Sequence, residues 1–252
     1  MQEIKTRELT VWTIIGGSFR VFAAQFRYVL PVCIAFFLPV RILDLFVPGD
    51  LIVNLMNSDF ILYDPIAPAY MRYLLIFMGI QLLFTPLAAG GLSYITIQHV
   101  EKRPVAFAGI MEASLIKWPK LVYTAFIYYL LIMLTAFLVL PAIYGAVAFM
   151  LYACIAAISN KYGFSALLIS RVLMRGRWLK GFLLLIGTYM VNFLLQNFVV
   201  TILGNMGFLT SAAATVIVGV LLDILGSFSY IAVCLFYINI HYHLKSEERP
   251  LT

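Results

Sequence analysis

An all-α, polytopic membrane bundle of six transmembrane helices, with interfacial amphipathic helices on the cytoplasmic side, is predicted by three properties of this sequence. The hydrophobic fraction is 63% and the charged fraction 11%, against roughly 45–50% and ~25% in a soluble domain. At a mean hydropathy of +1.01 the apolar surface exceeds what a water-facing fold can hide. The 252 residues hold six spans of ~20 residues with their connections and leave no room for a separate soluble domain. Finally, 15 of the 17 Lys and Arg residues fall in every second gap between apolar runs, the positive-inside pattern of a multi-pass chain with both termini in the cytoplasm.

Residues 1–27 mix Lys5, Arg7, Arg20 and Arg27 with Trp12, Phe19, Phe22 and Phe26, as expected of a helix lying in the cytoplasmic interface. Helix one follows at about 28–47, interrupted by Pro31 and Pro39. The first external loop, 48–71, carries Asp50, Asp59 and Asp64 but no Lys or Arg, and Asp64-Pro65 and Ala67-Pro68 impose a bend. Helix two spans 72–98 with a kink at Pro86, and Ala88-Ala89-Gly90-Gly91 admits a close neighbour. A cytoplasmic segment containing Lys102, Arg103, Lys117 and Lys120 leads to a hairpin of helices three (121–138) and four (141–159) with an uncharged turn. Lys161, Arg171, Arg175, Arg177 and Lys180 occupy the next cytoplasmic segment without an acidic residue. Helices five (181–203) and six (212–239) and a cytoplasmic tail, 240–252, complete the single membrane domain.

Basic residues beside apolar runs face anionic headgroups, so the formal net charge of +6 is read as orientation and not as a nucleic-acid surface. Cys33, Cys154 and Cys234 lie inside apolar runs and form no CxxC metal motif. No removed signal peptide is expected, because Val47-Pro48-Gly49-Asp50 is not a small-residue cleavage site. His99, His241 and His243 sit at cytoplasmic helix ends without acidic or Cys ligands at metal-site spacing, so neither metal nor cofactor is expected.

Arg41, Asp44 and Asp223 are the ionisable residues that their apolar neighbours place within the membrane. Each would cost about 2.5–3.5 kcal/mol at mid-bilayer unless paired or wet. Arg41 and Asp44 share a helical face, and Arg41 lies about 9 Å and Asp223 about 16 Å from the external ends of their helices. The expectation is an Arg41–Asp223 contact with Asp44 as second acceptor; the alternative is an ion or proton site. Gln81, Asn192, Gln196 and Asn197 add intramembrane polar groups, and Asn192 and Gln196 share a face, which suits interhelical hydrogen bonds or a polar cavity. Lys117, Lys120, Arg171, Arg175, Arg177 and Lys180 form the predicted cytoplasmic basic face.

Ser18, Ser114 and Ser170 each sit in a short amphipathic stretch with a basic residue within three positions and further charge before the next hairpin. This reads as an interfacial helix plus a helical hairpin used three times, unless any interfacial helix before a span looks alike. The run from Asn160 to Arg177, with Gly163, Ala166-Leu167, Ser170-x-x-Leu173 and Arg175-Gly176 in order, resembles the cytoplasmic element of a group of bacterial integral membrane proteins. That group is related to the membrane domain of some glycerophosphodiester phosphodiesterases. The tail from Leu235 to Glu247 and the opening Ser18-Phe19-Arg20-x-Phe22 fit it too, although His243 stands where Arg is usual.

The resemblance implies a stand-alone six-helix module without the esterase chemistry, which in the fused enzymes resides in a separate barrel. Function is therefore expected to be non-enzymatic: a scaffold, accessory subunit or regulator in the inner (plasma) membrane, contacting anionic lipid and a membrane-protein partner or a second copy. The alternative is a small transporter, lipid-handling or peptide-immunity protein with an internal polar cavity. An intramembrane enzyme is a third possibility, weakened because Asp44 stands only beside a charge partner.

Overall fold

The computed structural model describes residues 8–44, 67–159, 161–207 and 212–247. Every regular element among them is helical. Thr10 caps the first, its Oγ1 accepting from the Thr13 amide at 3.4 Å, and α1 runs Val11–Ala24. Gln25 breaks the chain direction and α2 follows at Phe26–Asp44 with Pro31 and Pro39 inside it. Next come α3 (Ala67–Glu101), α4 (Phe107–Met111) with a π-helical turn at Glu112–Ile116, and α5 (Trp118–Thr135). The chain then forms α6 (Val139–Ala148), α7 (Tyr152–Ile158), α8 (Phe164–Met174), α9 (Trp178–Asn205), α10 (Ala212–Gly226) and α11 (Phe228–Glu247).

Six stretches are long and apolar enough to cross a membrane: Phe26–Leu43, Met78–Glu101, Trp118–Thr135, Val139–Ile158, Trp178–Asn205 and Ala213–Leu244. Several depart from the sequence boundaries. Helix two extends to Ala67–Glu101 with Pro86 within it, and three residues before that proline the Leu83 carbonyl accepts from the Trp118 indole at 3.0 Å. Helix four is two helices, α6 and α7. Helix six breaks at Ser227 into α10 and α11, and the stretch expected to be tail stays helical to Glu247. Most of the acidic external loop (48–66) and the last residues of the expected helix one (45–47) lie outside the described residues, as do residues 1–7 of the expected interfacial helix.

The elements form three units in a ring. Each unit has a short amphipathic helix, a first hairpin helix and a second: α1, α2 and α3; α4 with its π turn, α5 and α6–α7; α8, α9 and α10–α11. Every first hairpin helix packs on its own partner and on the second helix of the preceding unit, so α5 lies on α3, α9 on α6, and α2 on α10. The amphipathic helices follow the same rule: the π turn lies on α3, α8 on α6 and α7, and α1 on α11 and α9. α3 also packs on α7 and α11 at the centre. Over half of its membrane stretch is buried inside the protein (56%), against 11% for α9, which therefore lies at the periphery.

Ser18, Ser114 and Ser170 are all fully buried where the amphipathic helices meet these neighbours. Close approach is built in at Gly90 and Gly91, where an added Cβ would lie 2.8 Å from Leu121 Cδ1 and 2.8 Å from Ser114 Oγ respectively. α1 is likewise set into the bundle: Ile14, Ile15, Ser18 and Val21 are buried, and Phe19 stacks on Phe228 with ring centroids 4.6 Å apart. One turn of chain, at Gly163, opens α8. Its φ of +62° and its closeness to Tyr123 exclude a side chain, and its N–H donates to Thr124 Oγ1 at 2.8 Å.

Candidate polar site within the membrane region

Arg41 lies near the end of α2 and Asp223 near the end of α10, the two helices that close the ring. Arg41 Nε donates to Asp223 Oδ2 at 2.7 Å and Nη2 donates to Oδ1 at 2.7 Å, a bidentate pair. Gly219, one turn before Asp223, clears the path. A Cβ there would stand 2.9 Å from Arg41 Cδ, so the guanidinium stem lies directly on the α10 backbone. With 29% and 19% of their side chains accessible, both partners are largely withdrawn from the surface. The Asp44 side chain, the expected second acceptor, lies outside the described residues.

Asp223 also lines a cavity of about 150 Å³ with Gln81, Thr85, Asn192, Gln196 and Tyr230. The structure thus gathers Asp223, Gln81, Asn192 and Gln196, four of the intramembrane residues singled out in the sequence, around one space, with Arg41 joined to it through the ion pair. Asn192 abuts Gly226, where a Cβ would be 3.1 Å from Nδ2; its Oδ1 is buried and has no protein partner among the described residues. Gln81 Oε1 accepts from Thr85 Oγ1 at 3.0 Å. Asn197 turns away and bonds its own helix at the Phe193 carbonyl. Thr85 and Tyr230 escaped the sequence reading because one hydroxyl in an apolar run carries no signal until the fold shows what it faces. The cavity falls below the ~300–1,000 Å³ of ordinary ligand pockets and suits a few water molecules bridging amides and carboxylate.

The predicted basic face divides by partner. Lys117 Nζ donates to the Ala157 carbonyl at 2.6 Å, and burial pulls its pKa below the usual lysine value. Lys120 stands 5.2 Å from the Tyr162 ring centroid. Arg177 Nε and Lys180 Nζ hold the two oxygens of Glu8 at 2.9 and 2.8 Å. The Lys180 hydrogen bond, followed by Arg177, keeps the Glu8 carboxyl below its ordinary range against the opposing pull of partial burial. Glu8 was not anticipated, since in sequence it is one acid in a charged terminus. The neighbouring Leu9 amide donates to Asn239 Oδ1 at 3.0 Å. Arg171 and Arg175 have no carboxylate partner among the described residues and line a groove of about 690 Å³. No metal-type cluster of His, Cys, Asp and Glu occurs among the described residues.

No protein-family model, curated protein or solved structure matches the chain.

Proposed function

We propose that this multi-pass protein is a non-catalytic scaffold or accessory subunit of the inner membrane, with its basic end and both termini in the cytoplasm. Its role would be to present outward apolar helices to a membrane partner. The observation that carries the reading is the bidentate Arg41–Asp223 pair, which commits the strongest intramembrane charges to holding the protein's own helices together. A charge pair used this way supports an architectural role. The outward surface supports it too. α9 exposes Tyr189, Met190, Phe193, Leu194 and Phe198, and the α5–α6 turn exposes Phe137 and Leu140. These residues suit lipid or a neighbouring transmembrane helix. The resemblance to stand-alone relatives of the phosphodiesterase membrane domain agrees with this proposal and rests on the residues quoted for it.

Mild solubilisation at native expression, followed by identification of co-purifying membrane proteins, tests the reading. One partner retained in stoichiometric amount and lost when bulky polar residues replace Phe193 and Leu194 is the expected result. A chain that emerges alone from several mild detergents overturns it. Orientation is checked separately in sealed spheroplasts of a cysteine-free variant. An impermeant maleimide should reach a cysteine placed at Asp59 and not one placed at Arg175.

The alternative of a small transporter, lipid-handling or peptide-immunity protein draws on the cavity at Asn192 and Asp223. At about 150 Å³ that space would have to widen severalfold to admit a solute. Flux through reconstituted vesicles that disappears in Asn192→Leu would favour this reading over the scaffold.

A further inference from the structure

We infer that the groove between α6, α8 and the start of α9 is a binding site for one anionic glycerophospholipid. The proposal rests on the reading that the basic end lies in the headgroup layer, and not on the scaffold role. The groove's volume, about 690 Å³, falls within the range of built ligand sites. Its lining has two chemistries. Arg171 and Arg175 stand one helical turn apart and supply cationic donors, while Tyr144, Leu168 and Val172 form an apolar wall, exposed by 49%, 58% and 70%. Exposure of that kind next to two arginines is what a lipid needs: phosphate at the guanidinium groups and acyl chains running down the open hydrocarbon side.

Two further observations distinguish this groove from the rest of the basic end. The first is Trp178, which lines the groove stacked between Tyr144 and Phe182 and whose indole N–H is buried without a partner among the described residues. A glycerol ester carbonyl or phosphate oxygen supplies the acceptor it lacks. The second is the commitment of the neighbouring cations. Arg177 and Lys180 are held by Glu8, which leaves Arg171 and Arg175 for the ligand. The other groove at this end, about 310 Å³, is lined by Glu101 and Glu112. Its Lys117 is bonded to Ala157 and its Arg103 to Glu101, so it offers an anion little.

The protein has three tryptophans, so Trp12→Phe with Trp118→Phe leaves Trp178 as sole reporter in the full chain. This protein is reconstituted in phosphatidylcholine vesicles containing increasing fractions of either brominated phosphatidylglycerol or brominated phosphatidylcholine, and Trp178 quenching is followed. Brominated phosphatidylglycerol should reach half-maximal quenching at a mole fraction about fivefold lower than its zwitterionic counterpart. Arg171→Gln with Arg175→Gln should remove that preference while brominated phosphatidylcholine still quenches, and Lys117→Gln with Lys120→Gln should leave it intact. Equal quenching by the two lipids in the parent, or a preference that survives the arginine replacements, overturns the site. Loss of the preference on adding millimolar inorganic phosphate also overturns it, in favour of a free-oxyanion site. None of these readings depends on co-purification or on which side the termini occupy, so a failed scaffold leaves them interpretable.

Discussion

Neutralising Asp223 is the sharpest perturbation of the membrane-buried polar site. Asp223→Asn keeps the shape of the side chain and an acceptor oxygen for one of the two 2.7 Å hydrogen bonds, but takes the Asp223 charge away from the Arg41 guanidinium. A charge at membrane depth costs about 2.5–3.5 kcal/mol on insertion scales, which bounds what the Asp223 carboxylate offsets, and the retained hydrogen bond returns about 1 kcal/mol. The accessible fractions of 29% and 19% place the pair short of full burial, so the upper end of the range does not apply. The net loss is then about 2 kcal/mol, which for a protein of this size lowers the melting temperature by roughly 4–8 °C. Arg41→Gln should cost a similar amount for the converse reason. Together, Arg41→Gln and Asp223→Asn form a neutral amide pair, and the double variant should recover more than half of either single loss, a coupling of about 3 kcal/mol. The assay is thermal unfolding of detergent-solubilised protein, scored as the monodisperse fraction after heating. Singles that melt with the parent, or a double variant that melts below both singles, refute the pairing argument.

Ser170 bridges the break between α6 and α7, donating to the Ala148 carbonyl at 2.9 Å and accepting from the Leu151 amide at 3.3 Å. Ser170→Ala leaves both groups buried and unpaired, so a loss of about 1–3 kcal/mol is expected by the same thermal assay, whereas Ser165→Ala on the exposed side should be silent. Gly91→Val must displace Ser114 Oγ and Val32 Cγ1, which a Cβ already meets at 2.8 and 3.1 Å. The expected loss is about 1–3 kcal/mol, with Gly16→Ala, where nothing lies within 4 Å, as the control. Glu8 has a folded pKa below its ordinary value, so its ties to Lys180 and Arg177 stabilise the protein above the ordinary carboxylate range and are lost as pH falls through the lowered folded value. Protease cleavage ahead of α1 should therefore rise on acidification below about pH 4.5 and should already be raised at neutral pH in Glu8→Gln. The effect is at most about 1 kcal/mol because the pair is partly solvated.

The apolar spans were legible because hydropathy over some twenty residues is a local sum. Arg41 and Asp223 were legible for a related reason: a charge within an apolar run is costly, and the shortage of others narrows the choice of partner. Helix ends were not, since a helix keeps its hydrogen bonding where its side chains turn polar and the apolar signal fades, as in α11 between Asn239 and Glu247. The breaks at Phe149–Leu151 and Ser227 were hidden too. No proline marks either, and the freed backbone groups are met from elsewhere, by Ser170 at the first and by Ser227 Oγ on the Ile224 carbonyl at the second. Glu8 and Asn239 were unreadable because neither is a charge stranded in an apolar run, so nothing local points to partners 169 or more positions away.

Long-range ties are concentrated where the chain itself provides no link. The first and second units are joined by residues 102–106 and the second and third by 159–163, so those junctions are held at high effective concentration by a few residues of backbone. Between the third unit and the first there is no such connection. Arg41–Asp223, Glu8 with Arg177 and Lys180, the Leu9–Asn239 hydrogen bond and the Phe19–Phe228 stack all cross that junction. Directional, charge-assisted contacts there substitute for covalent connection and fix which helices meet, something hydrocarbon surroundings cannot do through apolar burial alone. If the junction behaves as one cooperative unit, weakening it at the membrane-buried pair must be felt at its basic end. Hydrogen exchange in detergent at the Leu9 amide should then accelerate in Asp223→Asn while amides in α7 keep their protection. A Leu9 amide as protected as in the parent would mean that the ties act independently and that ring closure is not a collective property of this seam.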